Sequence, residues 1–151
     1  MLWVALGVAA VIAWMAMVFT GRRRERQDPS SYVEFEVTDP ARLPALQALV
    51  AALAAAKRNE MPTLDPKDFT HLLDPGARRW FERSPEDGGY PFDALVENLG
   101  HSEYTLVGVR RMDDSLARIY IEPWSGPFGG VETLKALAEA FGQRVTRDWG
   151  V

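Results

Sequence analysis

Asp65, Asp68, His71 and Asp74 recur at three-residue steps in "LDPKDFTHLLDP". All four side chains are hard or borderline ligands for a divalent cation. Three-residue steps drift around a helix, however, and Asp65 and Asp74 each stand directly before a proline. That pair starts a helix, the carboxylate capping it and the proline occupying its first turn. Helix starts at Asp65 and Asp74 explain the spacing without a cation, so no metal ligand is assigned.

His101, Ser102 and Glu103 place an imidazole, a hydroxyl and a carboxylate side by side, the parts of a proton relay. Successive residues of a strand point to opposite faces, so these three cannot form one by themselves. With two histidines, no cysteine and no nucleophile motif, no catalytic residue is assigned. "WSGPFGG", residues 124–130, is glycine-rich and leads into a helix start, where free backbone N–H groups can hold an anion. It lacks the lysine and Ser/Thr of a P-loop and does not match G-x-G-x-x-G. No cofactor is expected. Trp124 and Phe128 in this loop are read instead as protein contacts.

These residues must be positioned by a small number of elements. "YVEFEV" (32–37) alternates strictly, with Val33, Phe35 and Val37 on one face and Tyr32, Glu34 and Glu36 on the other, the pattern of a half-buried strand. "DPARLPALQALVAALAAAKRN" predicts a helix with Asp39 as N-cap, Pro40 in its first turn and an apolar stripe through Leu43, Leu46, Leu49, Val50 and Leu53. Lys57 and Arg58 complement the negative end of its dipole. Residues 61–100 read as an insertion of short helices, the last capped by Gly100.

"EYTLVGVRRM" and "LARIYIEPW" predict a hairpin around Asp113 and Asp114, its faces kept aligned by a three-residue loop or a bulge. A helix over "GGVETLKALAEAFG" and a strand over "QRVTRDW" complete the chain. Val33, Phe35, Val37, Val107, Val109, Ile119, Ile121 and Leu137 are expected to share one core. Without the insertion the order is β-α-β-β-α-β, which predicts an α+β, ferredoxin-like domain: a four-stranded antiparallel sheet with both helices on one face.

The other face would then carry Tyr32, Glu34, Glu36, Tyr104, Leu106, Arg110, Arg118 and Tyr120. Tyrosine and arginine are favoured anchors in protein interfaces. Tyr32, Tyr104, Arg110, Arg118 and Tyr120, with Trp124 and Phe128, are therefore the expected protein-interaction residues.

Met1 to Gly21 contains no charged side chain and is followed by Arg22, Arg23, Arg24 and Arg26. The length and apolarity of that run predict a single transmembrane helix over 1–21 and a basic juxtamembrane linker over 22–31. The arginines are retained on the cytoplasmic side, which puts the N-terminus outside and the domain of residues 32–151 in the cytoplasm. Four of the 17 basic and two of the 21 acidic residues lie in 22–28. The remainder holds 13 basic and 19 acidic residues, a net charge of −6. That balance disfavours nucleic acid as a partner. The expectation is a membrane-anchored adapter or accessory subunit that binds a partner protein in a membrane complex, or a second copy of itself. A tethered small-ligand or anion sensor is the alternative, and an enzyme is less favoured.

Overall fold

The strict alternation of "SYVEFE" places β1 (Ser31–Glu36) at the centre of a sheet, with Val33 and Phe35 buried and Tyr32, Glu34 and Glu36 half-buried. The computed structural model describes residues 31–149 apart from Asn59 and residues 125–129. After β1 come helix α1 (Leu43–Lys57), helix α2 (Pro75–Phe81), helix α3 (Phe92–His101) and strands β2 (Tyr104–Arg111) and β3 (Leu116–Pro123). Helix α4 (Val131–Ala140) and strand β4 (Arg144–Trp149) follow. Short 3₁₀ turns at Pro66–Asp68, Thr70–Leu72 and Pro85–Asp87 punctuate the segment between α1 and α3.

The four strands pair antiparallel in the order β2-β3-β1-β4. Helix α1 packs on β2, and α4 packs on β4 and β1. Leu46, Leu49, Val50 and Leu53 of α1 join Leu134, Leu137 and Ala138 of α4 in one buried cluster with Val33, Phe35, Ala117, Ile119 and Ile121 of the sheet. Both helices therefore cover the same sheet face. The insertion belongs to that core as well: Phe69, Leu73, Ala77, Phe81, Phe92, Leu95, Val96 and Leu99 are buried members of the cluster. The Phe81 and Phe92 rings meet at 5.0 Å, which ties α2 to α3.

Asp65 caps the first 3₁₀ turn through the Lys67 N–H, and Asp74 caps α2 through the Ala77 N–H. Two other boundaries differ from expectation. Helix α1 begins at Leu43 with Arg42 in the N-cap position, rather than at Asp39. Pro44 has no N–H and sits in the first turn, preceded by a turn in which the Asp39 carbonyl accepts from the Arg42 N–H at 3.3 Å and from the buried Gln143 amide at 2.9 Å. Helix α3 continues through Gly100 to His101, so Gly100 lies inside the last turn and Ser102 follows it.

The parity of β2 is the larger correction. Tyr104 and Leu106, expected on the bare face, are 0% and 3% exposed in the core, whereas Val107, expected in the core, is 41% exposed. Leu106 pairs with Ile121 and Gly108 with Tyr120, leaving Val107 as the extra residue of a bulge. Gly108 has φ +147°, a conformation that glycine adopts without strain. Beyond the bulge the register brings Val109 opposite Ile119 and back against the core.

The expected fold, a single transmembrane helix followed by a ferredoxin-like domain, is also corrected. The structure establishes an α+β domain built on a four-stranded antiparallel sheet. No helix among the described residues is long and apolar enough to cross a membrane. The expected span over 1–21 and the basic linker over 22–31 lie outside the described residues, except Ser31, which opens β1.

Candidate functional site: the open face of the sheet

Covering one face of the sheet with helices leaves the residues of opposite parity on the other. Directly paired residues share a face. The register therefore brings together Tyr32 with Tyr120, Glu34 with Arg118 and Arg147, Glu36 with Arg144, and Arg110 with Arg118.

Arg118 is the hub. Its Nε and Nη2 reach Glu34 Oε2 at 2.9 and 2.8 Å, and its Nη1 donates to the Tyr120 hydroxyl at 3.4 Å. Its guanidinium carbon lies 4.1 Å from the centre of the Tyr32 ring. The Tyr32 and Tyr120 rings meet edge to face at 5.7 Å, and the Arg110 guanidinium sits 5.1 Å from the Tyr120 ring. The Tyr120 hydroxyl in turn donates to the Met112 sulfur at 3.6 Å.

Arginines directly opposite one another would repel. Here the Tyr120 ring beside Arg110 and the Glu34 carboxylate on the other side of Arg118 offset that repulsion. The hydrogen bond to Tyr120, then that to Glu34, holds the Arg118 guanidinium above its ordinary pKa. At the β4 side, Arg144 pairs with Glu36.

Exposure sorts these groups into a foundation and an outer layer. Tyr120 is 3% exposed, and the side chains of Glu34 and Arg118 retain 12% and 24%. Arg110, Arg144 and Arg147 are exposed, and Tyr32 is half-buried. Glu122, two residues on from Tyr120 and exposed, shares this face, so Arg110, Arg118, Arg144 and Arg147 stand against Glu34, Glu36 and Glu122, a net charge of +1 on a chain of net charge −4.

Trp124 stands at the end of β3, 39% exposed. Its Nε1 donates to Thr105 Oγ1 at 2.8 Å, and the Lys57 Nζ lies 5.0 Å from its ring. Lys57 is itself 1% exposed and donates to the Ser102 carbonyl at 2.6 Å and, more weakly, to that of Gly100 at 3.5 Å. Burial pulls its pKa below the ordinary lysine value. Beside it, burial pushes the Tyr104 phenol up to about 12.

Of the residues singled out in the sequence, Tyr32, Arg110, Arg118 and Tyr120 come together, and Trp124 lies at the end of the same sheet. Tyr104 does not join them, because its ring is in the core. Phe128 and Arg22, Arg23, Arg24 and Arg26 lie outside the described residues. Sequence reasoning missed the buried position of Lys57, for which its place in the last turn of an alanine-rich helix gave no sign. Nor did it pair Glu34 and Glu36 with arginines across the strands, as the register does. Among the described residues no group of three His, Asp or Glu is placed to hold a metal ion. Asp65 and Asp74 are engaged as caps.

The chain matches no family model, no curated protein and no solved structure. The functional reading accordingly rests on the geometry of this face.

Proposed function

We propose that the domain is an adapter that docks a partner protein on the open face of its sheet. The observation that carries this reading is the Tyr32–Arg118–Tyr120–Arg110 stack, locked from beneath by Glu34. Rigid arginine and tyrosine side chains contribute binding energy with little further loss of conformational freedom. Glu34 is held by Arg118 and Glu36 by Arg144, and with Arg110 and Arg147 also on this face its arginines outnumber its carboxylates. The complementary partner presents carboxylates between apolar side chains. A second copy of this face would present the same positive charge, so self-association through it is disfavoured.

The charge-free run over residues 1–21 and the arginines that follow support a membrane location, with residues 22–151 on the cytoplasmic side. Protease added to intact cells should then spare the domain, whereas digestion without membrane rupture would reverse the orientation.

Docking is tested with Arg110→Glu combined with Arg147→Glu, both at exposed positions. The full chain carrying this pair should lose its partner on co-purification at an unchanged thermal midpoint. Retained association would refute the docking face. Single-stranded nucleic acid also stacks on aromatic sheet residues, and Glu34 and Glu36 on this face are already paired with arginines. Tight oligonucleotide binding by the wild-type chain, lost in the double variant, would replace the protein partner.

A further inference from the structure

At the opposite end of α1 from Lys57, the start of α1, helix α2 and the end of α4 surround an open cleft of about 510 Å³. That size falls within the range of small-molecule sites. Its floor is Arg42. The Nε and Nη2 of Arg42 hold the Asp74 carboxylate in a two-pronged contact, both at 2.7 Å, and Nη2 also donates to the Ala140 carbonyl at 2.7 Å. These bonds fix the plane of the guanidinium and leave Nη1 with no hydrogen-bond acceptor among the described residues. The hydrogen bond with Asp74 raises the Arg42 pKa and lowers that of Asp74.

Two glycines keep Nη1 uncovered. A Cβ at Gly142 would lie 2.9 Å from it, and one at Gly76 would lie 3.1 Å from it and 2.6 Å from Nη2. Any other residue at either position would press on the guanidinium. Around this floor stand Arg79 of α2 and Arg83 four residues on, both exposed and lining the same cleft. Trp80 forms an apolar wall, with the Arg83 guanidinium 5.0 Å from its ring. Asp74 is taken up by Arg42 and by the Ala77 N–H. Glu139 lines the cleft, and the Asp39 carboxylate stands beside Gly142, where its charge also raises the Arg42 pKa.

Asp74 offsets the charge of Arg42, and the two exposed guanidinium groups of Arg79 and Arg83 beside it repel each other unless they share an anion. Each is a planar fork suited to pairs of oxygens on a phosphate. A carboxylate offers two oxygens to three forks, whereas a phosphate monoester offers three non-bridging oxygens. We infer that this cleft binds a small phosphate monoester, its oxygens held by Arg42, Arg79 and Arg83 and its flat apolar group against Trp80. Glu139 repels the anion from its own side and so directs it toward the arginines. The site is independent of the docking face, with which it shares no residue.

The test is calorimetric titration of the full chain with phenyl phosphate, inorganic phosphate and benzoate at one fixed ionic strength. Phenyl phosphate should bind saturably at one site, more tightly than either of the others. Arg79→Ala and Arg83→Ala, both at exposed positions, should each weaken it about tenfold or more, as expected for loss of a charge-assisted hydrogen bond. The thermal midpoint without ligand should be unchanged in both variants. Absence of saturable binding, unchanged affinity in both arginine variants, or benzoate binding as tightly as phenyl phosphate would overturn the assignment. Equal affinity for inorganic and phenyl phosphate would remove Trp80 from it.

Discussion

Glu34 and Phe35 are adjacent in β1, yet the two faces they serve are held together by different forces. Phe35 is 0% exposed among Leu, Ile, Val and Ala side chains, and its contribution scales with the apolar area removed from water. Glu34 keeps 12% of its side chain exposed and is held by Arg118 through directional bonds at 2.8–2.9 Å. The covered face is ordered because it is hidden. The open face is ordered although it is not hidden, because each charge there has a partner of the right shape. That difference teaches where binding can occur: a surface fixed by its own ion pairs and ring contacts stays available to a second molecule.

Truncation of the covered face should have the largest effect. Phe35→Ala is expected to lose about 3–5 kcal/mol of unfolding free energy, through lost burial plus the cavity left behind. Urea unfolding measures this. A loss under about 0.5 kcal/mol would place Phe35 outside the core.

On the open face, Arg118→Met should cost less, about 1–2 kcal/mol, because it strands the half-buried Glu34 carboxylate while keeping the side chain's apolar stem. The cost should shrink when Glu34→Gln is added, since the neutral amide no longer needs the cation. A double-mutant cycle reads that coupling, and strict additivity would mean that Arg118 and Glu34 act independently.

Lys57 sharpens the contrast, because it is a charge on the covered side held by the Gly100 and Ser102 carbonyls and the Tyr104 and Trp124 rings. Its folded pKa lies below the unfolded value of 10.5. In the window between the two, the unfolded chain binds more protons, so stability should rise with pH as it approaches 10.5. Tyr104 has the opposite sign. Its pKa rises from 10.0 to about 12 on folding, so the folded chain keeps the extra proton and stability should fall over that interval. Lys57→Met should abolish the rise and keep the fall, measured as unfolding free energy across an alkaline pH series. A rise that survives in the variant would assign it to another group.

Reversal of the outer arginines should have the smallest effect on folding. Arg110→Glu with Arg147→Glu is expected to change unfolding free energy by less than about 0.5 kcal/mol, as surface substitutions generally do. A larger loss would show that these residues belong to the foundation of the face rather than to its outer layer.

Much of this arrangement was legible in the sequence because one-sided burial imposes a period of two. That period correctly assigned Val33 and Phe35 to one face of β1, and Ala117, Ile119 and Ile121 to the same face of β3. It failed in β2 because a single extra residue reverses parity, so Tyr104 and Val107 exchanged the environments expected for them. The warning was Gly108, an interior strand glycine of the kind that marks bulges. The start of α1 was misread because Pro44, which has no N–H to donate, belongs in the first turn of the helix rather than in its interior. Arg42 and Lys57 were opaque because their roles are set by Asp74, Ala140, Gly100 and Ser102, which only the tertiary fold brings near. Local pattern reveals which way a side chain points, but not which distant group it meets.

The most direct measurement of the docking claim is photo-crosslinking in cells from single positions of the full chain. A photoreactive residue replacing Arg110 should yield a discrete crosslinked protein species. The same residue replacing His71, exposed on the insertion, should not, and Arg147→Glu should suppress the Arg110 product. No product from position 110, or an equal yield of the same product from position 71, would contradict the open face as the site of docking.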